Sequence, residues 1–217
     1  MFISVHNTFG YWHFITRLGE VQLLLPAALL ACLSLLNQPA TRLVAIHWLQ
    51  ALIVAAGLTL ASKIAFIGWG LGSATLNFTG ISGHAMFAAA IYPLLAATLT
   101  CWLPLQWERA AVILSFFLVL LVCLSRLMVM AHSVSEVVAG FLVGGAVSTY
   151  VVCHTGLPRA KLNFYMPLIL ALWLMVSPFH TPQVPTHSLV TRLALVLSGH
   201  SKPFKRTELL HHSMANG

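Results

Sequence analysis

The chain has 217 residues, of which 59% are hydrophobic and only 7% formally charged: eleven Lys or Arg and four Glu, with no Asp. A soluble domain carries about 25% charged residues, so this composition excludes an ordinary soluble enzyme, whose surface needs far more charge. It also excludes a disordered chain, which combines high charge with low hydrophobicity. The net charge of +7 does not mark a nucleic-acid binder. Arg192, Lys202, Lys205 and Arg206 stand in the C-terminal stretch and the other cations are scattered singly, whereas a nucleic-acid footprint is a clustered basic face. Positive charge in so apolar a chain reads as membrane topology and headgroup contact.

In chain order, residues 1–19 form an N-terminal segment without the basic n-region and small-residue cleavage site of a secretory signal. A transmembrane helix needs about 20 mostly apolar residues. Six stretches qualify, near 20–36, 43–61, 84–102, 109–129, 133–153 and 162–178. Asn37-Gln38-Pro39, Glu108-Arg109 and Gly156-Leu157-Pro158-Arg159 separate them, as polar and turn residues do. Runs without alternation argue for helices, in which every backbone group is satisfied locally, over a barrel. The expected fold is an all-α polytopic integral membrane protein, with six transmembrane helices in one bundle over residues 20–180.

Ala139, Gly140, Gly144, Gly145 and Ala146 give the fifth span a surface for close helix contact. The tryptophans cluster near span ends and suggest an interfacial belt. Cys32, Cys101, Cys123 and Cys153 form no CxxC pair and read as small hydrophobes in a membrane core. Residues 181–217 form a basic C-terminal tail. Its first part, to about residue 200, suits a surface-lying amphipathic helix, and the part from Lys202 on is expected to be mobile.

The few charges inside the apolar region carry the functional signal, because ionisable groups within spans are costly. Between Arg42 and Glu108 the only one is Lys63, and between Arg109 and Arg159 there are only Arg126 and Glu136. In a six-span bundle the connections after the second and fourth spans share a side. Lys63, Ser82, Gly83, His84, Arg126, His132 and Glu136 therefore converge at one end. Lys63 and Arg126 lack adjacent acids. Gly83 opens a helix, whose first amides and dipole attract anions. Two cations and a helix N-terminus suit a phosphate, onto which Arg forks. His84 and His132 can act as acid, base or nucleophile near neutral pH. Glu136 lies one helical turn after His132 and can hold its imidazole tautomer. Taken singly, each residue also has a plain structural reading: a snorkelling lysine, a helix cap, a topology anchor, a buried hydrogen bond. Their order and spacing together point to phosphoryl transfer by two histidines, with no metal or other cofactor called for.

ISGHA at Ile81–Ala85 and SRLMVMAHSVSE at Ser125–Glu136 resemble the second and third signatures of the type 2 phosphatidic acid phosphatase (PAP2) superfamily, the lipid phosphate phosphatases. The resemblance covers about residues 55–150. It implies that His132 attacks phosphorus and forms a phosphohistidine, that His84 protonates the leaving group and then activates water, and that Glu136 orients His132. It implies that Lys63, Ser82, Gly83 and Arg126 bind phosphate oxygens. The implied activity is hydrolysis of a membrane lipid phosphate or diphosphate, of the undecaprenyl diphosphate, phosphatidylglycerophosphate, phosphatidate or lipid A type. The implied location is a bacterial-type inner membrane, with the site facing the periplasm or cell exterior.

The chain departs from the family pattern at three places. Seven residues after Lys63, where the first signature has Arg, stands Gly70; Ile81 replaces Pro; Glu136 replaces Asp. The absent cation is either missing or supplied elsewhere, and Arg17 and the basic tail lie on the right side by parity. Two other readings follow. One is a lipid-phosphate-binding pseudo-enzyme. The other rests on Gly80-Ile81-Ser82-Gly83, a GxSG like that of rhomboid intramembrane proteases, and would use Ser82 and His132 on peptides. Arg42, Arg109, Arg159 and Lys161 stand in the loops opposite the motifs. By the positive-inside rule the motif side then faces away from the cytoplasm.

Overall fold

The structure is a computed structural model that describes residues 5–158, 165–180 and 186–215. Nine helices appear among them: α1 (Val5–Arg17), α2 (Val21–Leu36), α3 (Arg42–Trp69), α4 (Gly83–Thr100), α5 (Leu105–Met128), α6 (Val134–Thr155), α7 (Tyr165–His180), α8 (Thr186–Ser198) and α9 (Arg206–Ala215). Five helical stretches are long and apolar enough to cross a membrane: Gly10–Leu36, Arg42–Trp69, Gly83–Thr100, Leu105–Met128 and Val134–Thr155. The protein is an all-α polytopic membrane protein. The sixth expected span corresponds to α7, whose 16 described residues fall short of the about 20 that a crossing needs.

Several helix ends differ from expectation for identifiable reasons. The third helix runs two turns beyond residue 61 because Ile64–Trp69 keeps it apolar, and it stops where Gly70 takes a left-handed cap (φ 70°), a conformation that favours glycine. Lys63 therefore sits on α3 and not in the connection after it. The Glu108-Arg109 pair, expected to separate spans, lies within α5, which starts after Pro104; Glu108 is in its first turn, where the helix dipole favours an acid.

The bundle is built around α4, which packs on α2, α3, α5 and α6. Its Ala85, Ala88, Ala89 and Ala90 are fully buried. Close approach to α6 depends on two glycines. A methyl at Gly140 would overlap the Ser82 carbonyl, and one at Gly144 the Met86 carbonyl, whereas Gly145 meets nothing within 4 Å. This gives a paired expectation. Ala gains up to about 1 kcal/mol of helix propensity over Gly, so Gly145→Ala is neutral or stabilising. Gly144→Ala places its methyl against rigid backbone and loses about 1–3 kcal/mol. Thermal unfolding in detergent should separate the two variants in opposite directions.

The aromatic belt is only partly as expected. Trp69, Trp102 and Trp107 are exposed near helix ends, but Trp48 is fully buried. Its indole donates to the Ala90 carbonyl at 3.1 Å, and Trp173 donates to Leu23 at 3.0 Å, as buried indole N–H groups do. Of the cysteines, Cys153 is exposed and the other three are buried.

The helix expected before residue 200 is α8, and the residues from Lys202 on are docked where mobility was expected. Helix α8 packs on α3, burying Ala194 against Phe66 and Ile67. Beyond it, His200 Nδ1–H donates to the Gly68 carbonyl at 2.7 Å, and the Phe204 amide donates to the Ile67 carbonyl at 3.0 Å. These are carbonyls of the last α3 turn, which have no partner within their own helix. The end of α3 thus supplies the acceptors that fix the tail across it.

Candidate active site

The α3–α4 and α5–α6 connections meet at one end of the bundle. The Ser82 amide donates to the Glu136 carbonyl at 3.0 Å, and Ser135 Oγ donates to the Leu76 carbonyl at 2.7 Å. The Ile81 amide donates to Ser62 Oγ at 3.0 Å. A proline at this position has no N–H to give, so the Ile81 departure carries a tether between α3 and the start of α4.

His132 immediately precedes α6. Ser133 caps that helix in a reciprocal capping box with Glu136, spelled in the sequence as Ser-Val-Ser-Glu. Glu136 is fully buried and is surrounded by donors. Its Oε1 accepts from the Thr79 amide (2.7 Å), the Thr79 hydroxyl (2.5 Å) and Arg206 Nη2 (2.8 Å). Its Oε2 accepts from His132 Nδ1 (2.7 Å), Arg206 Nη2 (2.7 Å) and the Ser133 amide (3.2 Å). Such a set of donors requires the ionised carboxylate. A carboxylate only accepts, so Nδ1 of His132 carries the ring proton and Nε2 is the basic nitrogen. His132 lies outside the spans. Burial pushes its imidazole below the ordinary value; the Glu136 bond and charge oppose this, and Lys63 and Arg126 add to the lowering.

A cavity of about 1150 Å³ opens at this end, and Lys63, Gly83, His84, Arg126 and His132 all line it. Lys63 Nζ lies 3.8 Å from where a Gly83 Cβ would be, which places the ammonium beside the α4 N-terminus. Arg126 is held by the α1 hydroxyl of Thr16, Nη1 to Oγ1 2.5 Å. Ser82 N-caps α4 without using its side chain. It is not among the lining residues, and its fully buried Oγ has no hydrogen-bond partner among the described residues. No Ser82–His132 dyad is formed. The described lining also includes Arg192, Lys205 and Arg206 from the tail, and no carboxylate. Arg17, the other candidate for the missing cation, is not part of it. Among the described residues no group of three His, Cys, Asp or Glu side chains is placed to hold a metal.

Sequence reasoning identified the motif residues but not their supports. Thr16, Asn77, Thr79 and Arg206 are ordinary polar residues distant in sequence from those they hold. The Ser133–Glu136 capping box is the one support with a local signal, a Ser three residues before a Glu at a helix start.

Comparison with known proteins agrees with this geometry. The chain belongs to the PAP2 superfamily, whose family match spans residues 69–157. Membership supports a phosphatase-type activity at a membrane. The chain is also similar to an "Uncharacterized 22.5 kDa protein in cps region" of Klebsiella pneumoniae, at 33% identity over 202 residues, 91% of this chain and 97% of that protein. No solved structure matches it.

Proposed function

We propose that the protein is a lipid phosphatase that hydrolyses a membrane lipid phosphate or diphosphate through a phosphohistidine. The observation that carries this reading is the Nδ1-protonated His132, fixed on Glu136, at the wall of a cavity whose described lining holds cations and no carboxylate. The lipid phosphate binds against Lys63, Arg126 and the first amides of α4, with the Ser82 hydroxyl behind them. His132 Nε2 attacks phosphorus, and the bond to the lipid oxygen breaks as His84 gives that oxygen a proton. His84, now neutral, takes a proton from water. The resulting hydroxide attacks the phosphohistidine, the P–N bond breaks, and inorganic phosphate leaves with His132 restored.

The apolar part of the lining (Val21, Leu60, Phe66, Phe87 and Val190 among others) suits an acyl or prenyl chain more than a soluble phosphate ester. Arg42 begins α3 and Arg109 lies in the second turn of α5, both toward the end opposite the site. With Arg159 and Lys161, which lie outside the described residues, they support a site facing the periplasm or exterior of a bacterial-type inner membrane. The test is phosphate release from purified protein given lipid A, undecaprenyl diphosphate, phosphatidylglycerophosphate and phosphatidate. Vanadate-sensitive release from at least one, lost in His132→Ala, is expected. Saturable lipid phosphate binding with no release from any would replace this reading with that of a pseudo-enzyme.

The state of His132 makes a pH prediction. The attacking form is the neutral imidazole, and burial holds its protonation below the ordinary value of 6.5. The acid limb of kcat/KM, corrected for substrate ionisation, is expected below pH 6.5, because that profile reports the free enzyme. An acid limb above that value would contradict the burial argument.

A further inference from the structure

Gly70 stands where the family pattern places its second cation, and the structure shows what occupies that space. Gly70 has φ 70°, and a Cβ there would lie 2.9 Å from the Phe204 ring. A long side chain at position 70 and the docked tail exclude each other. The residues that follow Phe204 are Lys205 and Arg206, and both line the cavity together with Arg192 of α8. Arg206 bridges both oxygens of Glu136 and reaches Thr79 Oγ1 at 3.1 Å and Asn77 Oδ1 at 3.3 Å. It therefore binds the α3–α4 connection to the first turn of α6, directly behind His132.

We propose that the C-terminal segment is a working wall of the site: Arg206 is a positioning residue that holds Glu136 and through it His132, and Arg192 and Lys205 supply the phosphate-facing charge that Gly70 cannot. This rests on the phosphatase reading for its kinetic part only. The charged and titratable groups around His132 are Glu136 of α6, Lys63 of α3, His84 of α4 and Arg126 of α5, with Arg206 of α9 behind Glu136. Without Arg206 the Glu136 charge is left uncompensated and stabilises the imidazolium of His132. The carboxylate is also free to shift.

The experiment compares wild type, Arg206→Gln, Arg206→Lys and the double variant R192A/K205A, all as full chains. Two readouts are used: lipid phosphate hydrolysis, and carbethoxylation of His132 against pH, read on its own peptide by mass spectrometry. Arg206→Gln should lower kcat about 100-fold through misplacement and raise the His132 titration midpoint by about one pH unit. Arg206→Lys, which keeps the charge, should keep the midpoint near wild type and recover part of kcat. The double variant should raise KM about tenfold, more than it lowers kcat, as loss of charged phosphate contacts does. An unchanged midpoint and kcat in Arg206→Gln, or an unchanged KM in the double variant, would overturn the corresponding assignment. The titration needs no turnover. It therefore tests the Arg206 assignment even if no lipid on the panel is hydrolysed, which would count against the phosphatase reading instead.

Discussion

His132→Ala is expected to lower phosphate release by at least about four orders of magnitude, as loss of a nucleophile does. The cavity, the cations and the α4 N-terminus remain in that variant, so lipid phosphate binding should persist near the wild-type level. The side chain sits in a connection outside the helices, with 16% of its surface exposed, so the fold should survive its truncation. Equilibrium binding of a radiolabelled lipid phosphate beside the rate assay separates the two effects. A variant that binds normally and still turns over at more than about one per cent of wild type would remove His132 from the reaction.

Glu136→Gln is expected to be nearly as damaging, and to cost stability as well. Each carboxylate oxygen accepts at least three bonds, and the amide that replaces one oxygen brings donors where only acceptors fit. If that NH₂ faces His132, Nδ1 must become the acceptor, and the ring proton moves to Nε2, where it blocks attack. If it faces Thr79 and Arg206, those donors lose their acceptor. A wrong tautomer alone costs about 10⁴ in kcat in the analogous Asp–His pair of serine proteases, and each buried donor left unsatisfied costs about 1–3 kcal/mol. Glu136→Asp keeps the charge but withdraws it by one methylene from Thr79 and Arg206. It should fall between Gln and wild type in both rate and melting temperature. Equal activity of Gln and wild type would show that the carboxylate does not set the His132 tautomer.

The sequence made the bundle legible because in a membrane length and hydropathy dictate the spans, and five of them follow directly. The sixth was read from an apolar run whose helix is described over fewer residues. The motif end was legible through parity: alternating spans must bring Lys63, His84, Arg126, His132 and Glu136 to one side. The part from Lys202 on differs from expectation because it lacks a span's hydropathy, and polar segments at a terminus usually are mobile. Its anchoring rests on backbone acceptors at the end of α3 and on a glycine that leaves room for Phe204, and neither announces itself in composition. The absent first-signature cation drew attention to Arg17 and the tail alike. The cavity lining distinguishes them, since it includes Arg192, Lys205 and Arg206 but not Arg17, and the packing of Gly70 under Phe204 brings the tail there.

The account depends most on a covalent phosphoryl group at His132. A rapid acid-free quench of the protein with a lipid labelled in its terminal phosphate, followed by peptide mapping, tests this directly. The prediction is an acid-labile, alkali-stable label on the peptide containing His132, absent in His132→Ala. An acid-stable label on Ser82, or turnover with no label on His132 under any quench, would contradict it.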